Sequence, residues 1–139
     1  WEEFSELPRV TITSDFHCVT RWSLLDCTWE GVHIRDVVAR VEVLSSTRYV
    51  MVHGYGQYTT NLPVADLIDE DVLFAHSWNG EPLSKNHGGP IRLVVPKLYA
   101  WKSTKWVNGL EFLTHNQRGY WEQAGYHDRG NPWKEERFS

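Results

Sequence analysis

The sequence is short of several things that would classify it at once. It has two cysteines, Cys18 and Cys27, in 139 residues. Two cannot build a disulfide framework, and their C-x8-C spacing lacks the tight pairs of a structural zinc site. A single disulfide and two free thiols are both compatible with that count. No apolar run approaches the roughly 20 residues a spanning helix needs, which excludes a helical membrane anchor within the chain. The net charge of −4 offers no broad basic face, which argues against nucleic acid as a partner. Internal repeats, low-complexity tracts and linker-like charge blocks are missing too. Nor does the chain open on Met or on a signal peptide. It begins at Trp1 and is expected to be an excised or truncated piece.

What is present is an ordinary globular balance, 41% hydrophobic and 23% charged, with an aromatic share of 14% that includes eight Trp. The length suits one domain, 1–139, with a real core. Strand patterns alternate with a few short helices, which predicts an α+β fold, mixed and sheet-dominated. Residues 2–6 suit a helical turn, and Arg9 to Thr13 reads as a strand through its Val10/Ile12 alternation. Ile34, Val37, Val38 and Val41 form one apolar helical face. Arg48 to His53 suits a buried strand, with Gly54 and Gly56 as turn residues after it. Pro63 at a first-turn position, followed by Val64, Leu67 and Ile68, predicts a short helix. Val72 to His76 is a strand candidate, and Asn79-Gly80 is a two-residue turn signal. Ile91 to Val95 is a short β run stopped by Pro96, and Lys105 to Leu113 reads as a strand closing the core. From Asn116 onward no period is visible, and that tail is expected to wrap the surface.

Three segments carry chemistry. In Phe16-His17-Cys18-Val19-Thr20-Arg21-Trp22-Ser23, a thiol sits near groups that lower its pKa, and the thiolate is the form that ligates metals. Alone, a buried inert Cys is the commoner reading. A Cys–His protease with His17, His53 or His87 as base finds no local signature here. In His87-Gly88-Gly89-Pro90-Ile91-Arg92, two glycines allow close backbone approach to a ligand, and Arg92 can bind a phosphate bidentately. In Trp101-Lys102-Ser103-Thr104-Lys105-Trp106, small hydroxyls around a point charge suit a phosphate as well, while a solvated strand edge is the plain alternative. Basic residues also gather locally as Lys97, Lys102, Lys105 and Arg92, a possible site for a small anion. Together the three segments make sense if one ligand presents both a metal and a phosphate.

This combination resembles the sulfite oxidase and methionine-sulfoxide reductase catalytic-subunit superfamily, in its molybdopterin-binding domain, over nearly the whole chain from Pro8 to Phe138. Cys18 within FHCVTRWS matches the cysteine that ligates molybdenum in that family. His87 and Arg92 within HGGPIRLVVP match its H-x4-R cofactor-binding segment, and Ser103, Thr104 and Lys105 before Trp106 match the step that holds the pterin's phosphate end. Trp121 and Tyr126 match the W-x4-Y of the oxidase-type enzymes, whose tyrosine reaches the active site; a surface aromatic in a tail that also holds Tyr120 and Trp133 is the alternative. Sulfite oxidases follow their metal-binding Cys with Gly-Asn-Arg-Arg, whereas this chain has Val19-Thr20-Arg21-Trp22-Ser23, closer to the reductase branch. The family's N-terminal cofactor-binding segment would lie before Trp1.

The resemblance implies a sulfite oxidase-like fold lacking its N-terminal part, and a molybdopterin cofactor with molybdenum held by Cys18. Arg92 and Lys105 would offset the phosphate charge, and Tyr126 would serve catalysis. It implies oxygen-atom transfer to or from a small substrate such as sulfite or a sulfoxide, with a separate electron-transfer partner, for instance a haem protein. Two rivals use the same residues differently. A carbohydrate- or ligand-binding module would expose the Trp as stacking platforms. A cofactor-free remnant would act as an interaction domain.

Overall fold

The computed structural model describes residues 4, 6–17, 23–40 and 45–138. The chain runs β1 (Arg9–His17), β2 (Ser23–His33), α1 (Ile34–Val38), β3 (Tyr49–Gly54), β4 (Tyr58–Pro63), α2 (Val64–Leu67), β5 (Leu73–Trp78), β6 (Glu81–Pro82), β7 (Arg92–Val94), β8 (Val107–Leu113) and α3 (Tyr120–Gln123). Single 3-10 turns occur at Lys85–His87, Ala100–Lys102 and Pro132–Lys134. One sheet has the order β1-β2-β5-β6, with β7 on β5, and the other is β4-β3-β8. Each of these ladders is antiparallel. The expected α+β architecture with a dominant sheet and short helices is what the chain forms.

Strand parity explains how one sheet serves two cores. On β5, Phe74 faces a cluster with Ile34, Val50, Val52, Leu62 and Leu67, whereas Leu73 and Ala75 face a second cluster with Phe16, Cys27 and Trp29. On β7, Leu93 joins the first cluster and Val94 the second. Residues two apart share a face, so Arg92 is delivered to the side of Val94, under Phe16 and Trp29. Placing an arginine in that core is a consequence of its register. The approach of β2 to β5 needs Gly31, where a Cβ would stand 2.1 Å from the Phe74 carbonyl oxygen.

Most of the expected elements are present, with shifted ends. Asn79 and Gly80 adopt φ of 49° and 85° between the paired Trp78 and Glu81, as a type I′ hairpin requires. Pro63 ends β4 and caps α2 rather than starting it. The last strand begins at Val107, because Trp106 takes a positive φ of 50° and breaks the run from Lys105. Gly54 pairs within the β3 ladders instead of turning, and the turn falls on Gly56 and Gln57. Of the helical turn expected at 2–6, Phe4 is helical and Glu6 lies in a turn, while residues 2, 3 and 5 and the end of the apolar helical face at Val41 lie outside the described residues.

Two strands, β2 and β4, are not visible in the hydrophobic pattern. The inward positions of β2 include Cys27, Trp29 and Gly31, which do not read as an apolar alternation. In β4 the buried residues include Thr60 and Asn61, which are paid for by a polar network. Thr60 Oγ1 donates to Glu122 Oε2 at 2.8 Å, and Asn61 Nδ2 donates to Asn116 Oδ1 at 2.6 Å.

That network corrects the expectation for the tail, which does more than wrap the surface. Glu122 is fully buried and meets Lys102 Nζ at 2.9 Å, also fully buried. Arg129 donates twice to Asp66, at 3.0 and 3.1 Å, and the Tyr99 N–H donates to the Gly130 carbonyl at 2.7 Å.

Candidate functional site

The second and third chemistry-bearing segments meet. Ser84 caps the 3-10 turn Lys85–His87, and Gly88 ends it at φ 102°, a conformation that favours glycine. A Cβ on Gly88 would stand 2.9 Å from Lys105 Cγ and 3.1 Å from Arg92 Cβ, so the two cationic side chains flank this glycine. Four consecutive carbonyls of this turn are then tied down. Trp106 Nε1 donates to Lys85 at 2.7 Å and Lys105 Nζ to Asn86 at 3.0 Å. Arg92 Nη1 donates to His87 at 3.1 Å and the Trp106 N–H to Gly88 at 3.2 Å. On the far side, the Leu93 N–H donates to the Thr104 carbonyl and the Val95 N–H to Ser103 Oγ, at 2.8 and 2.9 Å.

Arg92 is only 4% exposed. Its guanidinium lies 5.3 Å from the ring centroids of both Phe16 and Trp29, and Nη2 donates to the Ser103 carbonyl at 2.9 Å. Guanidinium carries five N–H donors, so each terminal nitrogen keeps one beyond these bonds. Burial pulls the Arg92 pKa down to about 10. Lys105 is also pushed below its ordinary value, first by burial and then by the neighbouring Arg92 charge. No carboxylate among the described residues comes within ion-pair range of either group.

The other two members of the basic group have different fates. Lys97 pairs with Asp69 at 2.5 Å and Asp66 at 3.4 Å, and Lys102 pairs with Glu122. The local positive site therefore narrows to Arg92 and Lys105. The hydroxyl of Ser103 receives the Val95 N–H, and Thr104 Oγ1 is buried without a hydrogen-bond partner. The ring of His87 is exposed, with Nδ1 at 2.7 Å from Ser84 Oγ and its face tilted towards Trp78 at 5.2 Å.

Tyr126 sits in a second group of rings. Its ring lies 4.9 Å from Trp101, 5.2 Å from Trp121 in a stack, and 5.6 Å from Phe138. Trp101 connects this group to Lys102, the residue before Ser103. The fold therefore brings His87, Arg92, Ser103, Thr104 and Lys105 into one constellation and sets Tyr126 in a neighbouring one. Cys18 lies outside the described residues.

Several contributors escaped the sequence reading. Phe16 and Trp29 form the platform under Arg92, and Trp78 backs His87. Trp29 stacks on Trp78 at 6.1 Å, and the indole nitrogens of both are buried without a hydrogen-bond partner. The high Trp content was the available signal. Trp29 and Trp101 are buried, whereas Trp121 and Trp133 are the exposed ones among the described residues. The aromatic surplus therefore serves the interior as well as the surface.

Comparison with known proteins identifies the family. The family model described as the oxidoreductase molybdopterin binding domain matches residues 1–121. The uncharacterized oxidoreductase YuiH of Bacillus subtilis (strain 168) is 45% identical over 139 residues, which is 100% of this chain and 70% of that one. Mitochondrial sulfite oxidase of Drosophila melanogaster is 29% identical over 107 residues, 70% of this chain and 19% of that protein. Among solved structures, the sulfane dehydrogenase SoxCD from Paracoccus pantotrophus shares the fold, with a TM-score of 0.73 at 24% identity over 82% of this chain and 34% of that chain. The chain thus spans most of YuiH but about a fifth of the sulfite oxidase. It belongs to the oxidoreductase molybdopterin-binding domain family, with sulfite oxidases among its homologues.

Proposed function

We propose that this domain holds a molybdenum–molybdopterin cofactor and transfers an oxygen atom to or from a small substrate such as sulfite or a sulfoxide. The observation that carries the reading is the pair Arg92 and Lys105. Arg92 is buried and Lys105 half-buried, both packed against Gly88, and no carboxylate among the described residues comes within ion-pair range of either. A buried charge is costly unless paired, and a phosphate ester is the counter-charge a guanidinium fork binds best. The surrounding donors fit the same group. Thr104 Oγ1 and the indole nitrogens of Trp29 and Trp78 are buried without hydrogen-bond partners among the described residues, the state in which a polar group can take a ligand.

In this reading Cys18 is the protein's ligand to molybdenum. It follows Phe16 by two residues, and Phe16 packs against the Arg92 guanidinium. Arg92 and Lys105 hold the phosphate end, with Ser103, Thr104 and His87 lining it. When bound, the cofactor supplies two-electron oxygen-atom chemistry, while the protein contributes orientation and charge. The Tyr126 hydroxyl would donate a hydrogen bond to a metal-oxo group or to a bound oxyanion. Electrons pass to a separate partner such as a haem protein.

The test is stoichiometry. Expressed in a host that makes the cofactor, the purified protein should carry molybdenum and pterin near one per chain. Cys18→Ser should lose the metal–thiolate absorption, and the Arg92→Ala/Lys105→Ala double variant should lose pterin. A protein that carries neither metal nor pterin in such a host would overturn the proposal.

A further inference from the structure

We propose that the buried Lys102–Glu122 ion pair is a positioning device that sets the place of Tyr126 relative to the Ser103–Lys105 segment. The inference rests on the reading of Tyr126 as an active-site group, and it adds two residues with no direct part in the chemistry. Both partners are fully buried, 2.9 Å apart. The Lys102 ammonium also donates to the Asn61 carbonyl at 2.7 Å and to the Asp128 carbonyl. Its three N–H donors thus reach β4, α3 and the tail beyond Tyr126. Glu122 Oε2 receives Thr60 Oγ1 at 2.8 Å and Trp101 Nε1 at 2.7 Å in addition to the lysine.

The geometry around Tyr126 gives this network its role. The tyrosine ring is held between Trp101, at 4.9 Å, and Trp121, stacked at 5.2 Å with planes 16° apart. Trp101 is the residue before Lys102, and Trp121 is the residue before Glu122. The two walls of the tyrosine slot are therefore carried by the two halves of the ion pair. The Trp101–Glu122 hydrogen bond cross-links them again. On its other side Lys102 leads directly into Ser103, Thr104 and Lys105. One ammonium thus fixes the tail against the segment assigned to the phosphate.

Stability alone does not call for such a pair. A buried ion pair can often be replaced by well-packed apolar residues at no loss, because desolvation offsets the attraction. What an apolar pair would not reproduce is the directed tie from Glu122 to Trp101. Reacting groups misplaced by an ångström lose rate steeply, so a slot fixed by directed bonds matters more for turnover than for folding.

The experiment compares Lys102→Met/Glu122→Leu with wild type, together with a protein carrying benzothienylalanine in place of Trp101, which keeps a bicyclic ring of nearly the same shape and removes only the indole donor. Two readouts are used. The first is the 19F resonance of fluorotyrosine at Tyr126 in the cofactor-free protein. The second is kcat and KM of the loaded protein with sulfite and with methionine sulfoxide. Both variants should melt cooperatively, the double variant below wild type because Thr60 Oγ1 and Trp101 Nε1 lose their buried acceptor, and both should shift or broaden the Tyr126 resonance. In the loaded protein kcat should fall roughly tenfold with KM within about twofold, and adding Tyr126→Phe should cost nothing further. An unchanged Tyr126 resonance in a folded variant overturns the proposal, as does a full additive loss on adding Tyr126→Phe. Should the double variant fail to fold, the benzothienylalanine substitution at Trp101 decides alone. A displaced resonance in variants of a wild type that turns over neither substrate would sink the assigned function and leave the positioning role supported.

Discussion

Replacing Arg92 by Met separates the two jobs a buried arginine can have. The guanidinium is 4% exposed, 5.3 Å from two aromatic centroids, and donates to the Ser103 and His87 carbonyls at 2.9 and 3.1 Å. Burial lowers its pKa from the ordinary arginine range to about 10, which at 1.36 kcal/mol per pH unit is a standing cost of about 3 kcal/mol. The folded value lies below the unfolded one. The cost is therefore fully present below pH 10 and relieved as pH rises from there towards the unfolded value. Against it stand two charge-assisted hydrogen bonds of about 1.5–3 kcal/mol each and two ring contacts of about 0.5–2 kcal/mol each.

In the cofactor-free protein the contacts, about 4–10 kcal/mol together, outweigh the burial cost. Met is unbranched and adaptable enough to fill the slot between Phe16 and Trp29. Burying the Met side chain returns about 1.5–3 kcal/mol, so the cofactor-free protein should lose no more than about 4 kcal/mol. Cofactor retention should fall as well. Losing charge-assisted bonds to a phosphate costs about 1.5–3 kcal/mol, which weakens binding by up to the order of 10²-fold. Denaturant unfolding of the cofactor-free protein gives the first number. Molybdenum and pterin remaining after dialysis give the second. The reasoning would be refuted by a variant that loses more than about 4 kcal/mol of stability yet keeps its cofactor as wild type does, for Arg92 would then be a structural strut.

Gly88→Ala should lower stability by about 1–3 kcal/mol and weaken cofactor retention, because a methyl at φ 102° pushes on Lys105 and Arg92; melting and metal content check both. Cys18→Ser should abolish turnover in an otherwise folded protein, measured by loss of rate at unchanged circular dichroism. Cys27→Ser places a hydroxyl in the second core beside Trp29, so it should cost about 1–3 kcal/mol with turnover retained, seen as a lower melting temperature at constant kcat. Arg129→Ala removes a partly exposed bidentate contact to Asp66. It should cost about 1 kcal/mol and speed proteolysis of the tail while leaving metal content unchanged.

How much of this was legible in the sequence depended on which signals are local. Asn79-Gly80 demands positive φ at both residues, so its hairpin could be read from two letters. Val50 and Val52 declare a buried strand by type and spacing. The Gly88, Arg92 and Ser103–Lys105 motifs could be joined because one ligand explains them together, and the fold does bring them together. The chain was silent where burial was achieved with polar atoms. Thr60 and Asn61 look like surface residues because a sequence shows the groups that need hydrogen bonds and hides their partners. Glu122, fully buried, is indistinguishable in the sequence from the exposed glutamates around it.

The four neighbouring basic residues show what separates a ligand site from a strut. Lys97, Lys102, Lys105 and Arg92 have the same sign and lie within a short stretch of chain. Their chemistry in isolation would suggest a single positive patch. The fold divides them by the acids it brings alongside. Asp66 and Asp69 reach Lys97 from α2 and the loop after it, and Glu122 reaches Lys102 from a tail some twenty residues further on. Arg92 and Lys105 receive carbonyl oxygens instead, and carbonyls can orient a cation without neutralising it. A cation held in place yet left charged is available to an anion from outside. This difference in counter-charge, more than the presence of basic residues, is what the binding site proposed for the 88–105 region rests on, and it sets Lys102 apart as a paired cation.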